Sequence, residues 1–216
     1  GSTNDCATTL HIPRVYKKAA ALAGSDIPPL AWDIGTLNER PFVYVAAFGA
    51  FTEVAYDTPQ DLKNTFGHLA YVMAGIASIP SIAPYHIKVE YDGNTLEDDF
   101  FYGMVCNTYS VGGMKNLPTD RGELDDGLFE VILVKKPVNI FEVGAALQSL
   151  LGQAPATTGS ALISFHASDL KFTCDKPIPW TIDGEYGGSQ EVNVVRNHRQ
   201  ALHIIQGPSH DKAVNE

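Results

Sequence analysis

Tyr85-His86-Ile87-Lys88-Val89-Glu90-Tyr91-Asp92-Gly93-Asn94-Thr95-Leu96-Glu97-Asp98-Asp99-Phe100-Phe101-Tyr102 decides the fold class, because it reads as two strands folded about one tight turn. Asp92-Gly93-Asn94 is the turn, since these residue types accept the positive φ that a short hairpin connection demands. Segments 85–91 and 95–102 are the flanking strands, and 101–109 continues the second. Further along, 128–134 carries Phe129, Val131 and Leu133 on one face. Segments 162–165, 170–174, 180–182, 191–195 and 201–205 read as more short strands. On the N-terminal side, 42–48 is aromatic and β-branched, as a well-buried strand is, and 30–36 is an extended piece behind Pro28-Pro29. Many short strands broken by turn signals point to a sandwich or barrel, mainly β with some α.

The helical signals are fewer. Asn4 or Asp5 can cap a short first segment, and 16–23 is alanine-rich before Gly24 stops it. Leu69, Val72, Met73 and Ile76 stand at i, i+3, i+4, i+7 spacing. Asn139 and Glu142 form a capping box for a helix that ends at Gly152. The texture changes near residue 38, which divides the chain into 1–37, a β domain over 38–207, and a tail over 208–216.

With 216 residues, 44% of them hydrophobic and 19% charged, the chain can bury a core and is not intrinsically disordered. The longest apolar run, 42–51, is well short of the roughly 20 residues that a transmembrane helix needs. Cys6, Cys106 and Cys174 are far apart and odd in number, which fits core residues in a reducing compartment better than a disulfide framework. A net charge of −10, with no run of Lys and Arg interleaved with aromatics, argues against a nucleic-acid partner. The chain does not begin with Met and carries no signal-peptide pattern, so sequence missing upstream is expected.

Three stretches could carry chemistry, and each has a plain structural alternative. Gly1-Ser2-Thr3-Asn4-Asp5 opens a helix; it is either a cap, with Gly1-Ser2 a cloning scar, or a phosphate-facing end. Asp120-Arg121-Gly122-Glu123-Leu124-Asp125-Asp126-Gly127-Leu128 is either a solvated acidic loop or a hard-cation site built from carboxylate and carbonyl oxygens. Ile182-Asp183-Gly184-Glu185 is either a hairpin turn or a rigid mount for a carboxylate acting as general base. The seven histidines show no metal-ligand spacing, and neither a G-x-S-x-G elbow nor a Walker A loop is present.

Taken together, these stretches resemble the bacterial diacylglycerol kinase-like lipid kinases, whose motifs recur here in the same order over nearly the whole chain. The opening resembles that family's P-x-G-[ST]-x-N-D motif, and Leu10-His11-Ile12-Pro13 the end of the helix behind it. Trp32-Asp33-Ile34-Gly35 is similar to the family's D-x-G strand, 42–53 to its F-x-N-x-A-x-x-G segment, and 63–71 to its K-x-x-x-G-x-x-A-Y helix entry. Leu124-Asp125-Asp126-Gly127-Leu128 and Asp183-Gly184-Glu185 are similar to its two acidic motifs, while Thr8 stands where many relatives have Arg.

The resemblance implies a C-terminal β-sandwich of a two-domain lipid kinase, with 1–37 a remnant of the α/β nucleotide-binding domain. Members carry a G-G-D-G-T loop upstream, whereas Asp-Gly occurs here only at Asp92, Asp126 and Asp183. A truncated chain, inactive on its own, is therefore expected. The implied chemistry is ATP-dependent phosphorylation of a lipid hydroxyl, diacylglycerol first, with Mg²⁺. Glu185 corresponds to the base, Ser2 and Asn4 to nucleotide contacts, and Asp5, Asp33 and Lys63 to a polar network. Asp126 corresponds to a cation site completed by the main-chain carbonyls of Glu123 and Leu128. A cytoplasmic protein in peripheral contact with the inner membrane face is implied, and a homodimer is left open. The rival readings are a non-catalytic sandwich that binds lipid or a partner, and a soluble-substrate kinase related to nicotinamide-nucleotide kinases.

Overall fold

The computed structural model describes residues 4–49, 83–108, 110–111, 114–115, 123–135, 142 and 161–208. Ser2, Lys63, the helix expected around 69–76 and, apart from Glu142, the helix at 139–152 lie outside the described residues.

Two short helices come first, α1 (Asp5–Thr9) and α2 (Tyr16–Ala23). Asn4 occupies the N-cap of α1, but in a left-handed conformation and without a side-chain capping bond. Gly24 follows α2 as expected. The strands are β1 (Leu30–Leu37), β2 (Arg40–Phe42), β3 (Val45–Gly49), β4 (Tyr85–Tyr91), β5 (Asn94–Cys106), β6 (Ser110–Val111), β7 (Met114–Lys115), β8 (Phe129–Lys135), β9 (Leu162–Ala167), β10 (Asp169–Ile182) and β11 (Glu185–Ile204). The fold is mainly β, as the turn signals implied.

Nine strands form one antiparallel sheet in the order β2-β1-β11-β10-β3-β5-β8-β9. β4 also pairs with both β10 and β5, so it shares the slot of β3, the two lying end to end. The sheet wraps on itself: Phe42 of β2 stacks on Phe129 of β8 at 5.7 Å, although the two strands are far apart in the strand order. Inside this wrap Phe48, Phe172 and Trp180 pack as a tilted aromatic trio among Ile87, Val89, Val131 and Leu133. Burying those side chains is the main stabilising term, at roughly 25 cal/mol per Å² of apolar surface.

Two expectations are corrected in detail. The apolar run 42–48 is not one strand, because the chain breaks at Val43-Tyr44 between β2 and β3. The segments expected as separate strands at 170–174 and 180–182 are one strand, and so are those at 191–195 and 201–205. Pro177 falls within a register shift between Thr173 and Ile178, while Pro179 pairs in register with Ser189, so β10 runs through both. β1 ends at Leu37 and pairs with β11 along its length, apart from a register shift between Trp32 and Ile34.

Candidate functional site

A second, smaller apolar cluster lies outside the main core. It joins Leu10, Cys6 and Ile12 around α1, Leu30 and Trp32 of β1, Val43, Leu124, and Leu202 and Ile204 of β11. These residues come from the opening motif, the Asp-x-Gly strand, the break after β2, the acidic loop and the last strand. Their shared burial is what gathers the candidate motifs at one end of the sheet.

Asp33 ties this end together. It sits where β11 bulges: Trp32 faces Leu202 and Ile34 faces His198, so two residues of β1 span four of β11. Its carboxylate is fully buried and accepts the backbone N–H of Gln200 at 2.6 Å and of Gly127 at 2.5 Å. Its own N–H donates to the Leu124 carbonyl at 2.8 Å. The Asn107 side-chain amide donates to the carbonyls of both Asp33 and Leu124, at 2.9 and 3.1 Å. Arg199 donates to the Asp125 carbonyl at 3.1 Å. The acidic loop is thus fastened to the sheet through its backbone. Gly35, two residues on, admits the Phe42 ring, whose nearest atom would lie 2.2 Å from a Cβ there.

The acidic loop is closed by its own aspartate. The Asp126 carboxylate accepts the N–H of Leu128 at 2.9 Å and that of Glu123 at 3.4 Å. The residues whose carbonyls were expected to join Asp126 around a cation therefore flank it in space. Among the described residues no group of three or more His, Cys, Asp or Glu side chains could hold a metal ion. One carboxylate with two carbonyls is a different donor set, and all hard oxygen. It suits a cation such as Mg²⁺ that keeps several waters.

Glu185 is the first residue of β11, after the two-residue turn Asp183-Gly184 with φ of 49° and 89°. Asp183 does more than turn the chain. Its carboxylate accepts the N–H groups of Val43, Tyr44 and Val45 at 2.8, 2.8 and 2.9 Å, and its own N–H donates to the Val45 carbonyl. These four bonds explain the break between β2 and β3, and they bolt the hairpin to it. The Glu185 side chain is exposed on this fixed mount and has no hydrogen bond to any described residue.

The helix α1 lies beside the same turn. Burial pushes the Cys6 thiol up, and the carboxylates of Asp183 and Asp5 add to the rise. The structure thus brings Asn4, Asp5, Asp33, the acidic loop and the Asp183–Glu185 turn to one end of the sheet, Asp5 buried and Asn4 exposed. Asn107, Arg199, Gln200 and the acceptor role of Asp183 were missed by sequence reasoning. Only Asn107 left a trace there, as a polar residue directly after an apolar strand.

Glu130 of β8, paired in register with His166, is a further buried acid at 4% exposure. Burial pushes its carboxyl up to about 7 and Asp126 adds to the rise, against backbone N–H groups that hold it back. The folded state therefore binds a proton more tightly than the unfolded chain. The associated stability is present below the unfolded value and is lost as pH rises towards 7. Between about pH 4.5 and 8 this is on the order of 2–3 kcal/mol, or roughly 5–10 °C in melting temperature. Glu130→Gln is expected to flatten that slope in melts recorded across the window; parallel slopes for wild type and variant would remove Glu130 as its source.

Residues 46–206 match the YegS C-terminal NAD kinase beta sandwich-like domain. The diacylglycerol kinase of Bacillus subtilis (strain 168) is 33% identical over 208 residues, covering 95% of this chain and 66% of that protein. The diacylglycerol kinase of Staphylococcus carnosus (strain TM300) is 31% identical over 206 residues, covering 94% and 65%. The chain thus spans just under two thirds of the length of these relatives. A diacylglycerol kinase crystal structure from Bacillus anthracis str. Sterne superposes with a TM-score of 0.68 at 17% identity, over 96% of this chain and 65% of that one. A second crystal structure from the same strain gives 0.73 at 20% identity, over 96% and 67%. At these identities the two structures establish the shared fold.

Proposed function

The chain belongs to the family of YegS C-terminal NAD kinase beta sandwich-like domains, and from that premise we propose that it serves an ATP-dependent lipid kinase with diacylglycerol as the first candidate substrate. The observation that carries this reading is the gathering of α1, the Asp33 strand, the acidic loop and the Val43 connection on one small apolar cluster. Motifs spread over most of the sequence would not need a common hub if each were only a turn or a cap. Relatives named diacylglycerol kinase that align over nearly the whole chain support the choice of chemistry.

On this reading the lipid hydroxyl gives its proton to the Glu185 carboxylate as its oxygen bonds to the γ-phosphorus and the bond to the departing ADP breaks. Asp183 positions Glu185 by fixing the turn. Ser2 and Asn4 contact the nucleotide, while Asp5, Asp33 and Lys63 complete the polar network. Asp126, with the carbonyls of Glu123 and Leu128, would hold Mg²⁺, which when bound offsets phosphate charge in the loose transition state. Residues 1–37 close the nucleotide-binding domain, 38–207 form the β domain and 208–216 are a tail, with β1 as the strand that joins the first two. The protein works in the cytoplasm at the inner membrane face. None of the helices among the described residues is long and apolar enough to cross a membrane.

Label from γ-labelled ATP is expected to appear on diacylglycerol with a longer polypeptide that carries the nucleotide loop, and not with these 216 residues alone. In the same preparations Mg²⁺ should raise the melting temperature by the linkage expected for a ligand of the native state. Asp126→Ala should lose most of that rise. Failure of the longer polypeptide to label lipid would end the kinase reading, whereas equal Mg²⁺ shifts in wild type and variant would end only the assignment of the loop.

A further inference from the structure

We infer that Arg40 is a positioning residue for Glu185, fixing the chain just after that carboxylate as Asp183 fixes it just before. The role rests on the reading of Glu185 as the base. The bonds that assign it do not.

The Arg40 guanidinium donates from Nη1 to the Tyr186 carbonyl at 3.0 Å, and its side chain makes no other bond to a described residue. That carbonyl stands where β11 falls out of step with β10. Tyr186 faces Thr181 and Gly188 faces Trp180, so Gly187 is an extra residue with nothing opposite. A bulge of this kind interrupts the ladder bonds. Two successive glycines, Gly188 with φ of 110°, lend the backbone little stiffness of their own. Glu185 and Tyr186 are therefore a two-residue link between the Asp183-Gly184 turn and a soft bulge. Asp183 anchors the turn side, and the side chain that anchors the bulge side is Arg40.

Arg40 has a firm base for this. Asn38 and Glu39 turn β1 into β2 with φ of 46° and 68°. The Asn38 side chain donates to Asn193 Oδ1 at 3.1 Å and accepts the Val194 N–H at 2.8 Å, which pins the turn to β11. Pro41, the next residue after Arg40, restricts its own φ. Three residues beyond Arg40, Val43 begins the run of N–H groups that Asp183 accepts. Residues 40–45 thus grip the β10–β11 hairpin on both sides of Glu185. A bond serving the fold alone could fall anywhere along β11; this one falls one residue past the carboxylate. A general base must stand within about 2.6–3.2 Å of the proton it takes, and a misplacement of about 1 Å can cost roughly 10²-fold. Arginine suits the task, because its planar fork fixes the direction of the bond where a lysine amine would swivel.

In a longer polypeptide that carries the nucleotide loop, Arg40→Ala should lower kcat about tenfold or more, with KM for ATP nearly unchanged. Arg40→Lys should recover part of the loss. The melting temperature should stay within about 2 °C of wild type, since one exposed bond is lost. Placed in the Glu185→Gln background, Arg40→Ala should cost almost nothing further, because the base it positions is already gone. Amide exchange over residues 185–188 of the 216-residue chain should rise at least about tenfold in Arg40→Ala, a readout that needs no turnover. A wild-type longer polypeptide that fails to label lipid would end the kinase reading and this role with it. Labelling by wild type together with an unchanged kcat in Arg40→Ala would overturn the inference alone. So would an equal kcat loss in the wild-type and Glu185→Gln backgrounds, which would have Arg40 act without Glu185, or unchanged exchange over 185–188.

Discussion

Asp33→Ala lowers the stability of the chain by about 3–5 kcal/mol, which moves a melting temperature by roughly 10 °C. The size follows from what the carboxylate does rather than from its charge. It is fully buried, and its two oxygens are the acceptors for the N–H groups of Gln200 and Gly127. Removing it strands both donors, and a buried donor without a partner costs about 1–3 kcal/mol. The loss also propagates. Gln200 sits in the bulge of β11 with φ of 52°, and Gly127 ends the acidic loop, so one substitution loosens two elements. Asp33→Asn should be milder, because one oxygen remains to accept while the amide turns a donor towards the other N–H. Urea midpoints should therefore order wild type above Asp33→Asn above Asp33→Ala. If Asp33→Ala melts within about 1 kcal/mol of wild type, water reaches these donors and Asp33 is not the tie between loop and sheet.

That order of dependence explains which parts of the molecule were legible in the sequence. Local signals held where local physics decides. Asp92-Gly93 and Asp183-Gly184 both turn with paired positive φ, and Gly24 ends α2. What failed was decided by distant partners. The run 42–48 looks continuous because nothing near it in sequence breaks it; Asp183, some 140 residues on, takes its backbone donors and bends it. The stretches 170–174 and 180–182 looked like two strands, yet β10 runs through Pro177 and Pro179 because its register against β11 shifts between Thr173 and Ile178. The same applies to the site. Motif order placed Asp33, Asp126 and Glu185 on the candidate roster. That Asp33 is a buried acceptor, that Asn107 bridges it to Leu124, and that Asp126 closes its own loop are properties of pairings no spacing encodes.

The largest effect is expected at Glu185, where structure and chemistry can be separated. Glu185 follows a turn held by three N–H bonds to Asp183, so its backbone is fixed while its side chain is exposed. It forms no hydrogen bond to a described residue, and Glu185→Gln should leave the melting temperature within about 1 °C of wild type, as surface changes usually do. A lipid hydroxyl, by contrast, is a poor nucleophile until its proton is accepted, and a positioned carboxylate contributes about 10²–10⁴-fold. Gln matches Glu in size and reach but is no base, so kcat in a catalytically competent longer polypeptide should fall by that factor with KM for ATP nearly unchanged. Glu191→Gln, exposed on the same strand, is the matched control and should cost less than about twofold. Asp183→Ala distinguishes mounting from chemistry: it strands the donors of Val43, Tyr44 and Val45, so it should lower stability and kcat together, where Glu185→Gln lowers kcat alone. A Glu185→Gln enzyme that keeps most of its kcat would remove Glu185 as the base. A Glu185→Gln protein that melts early would show that the carboxylate serves the hairpin, and the turn would then be a structural device rather than the mount of a catalytic group.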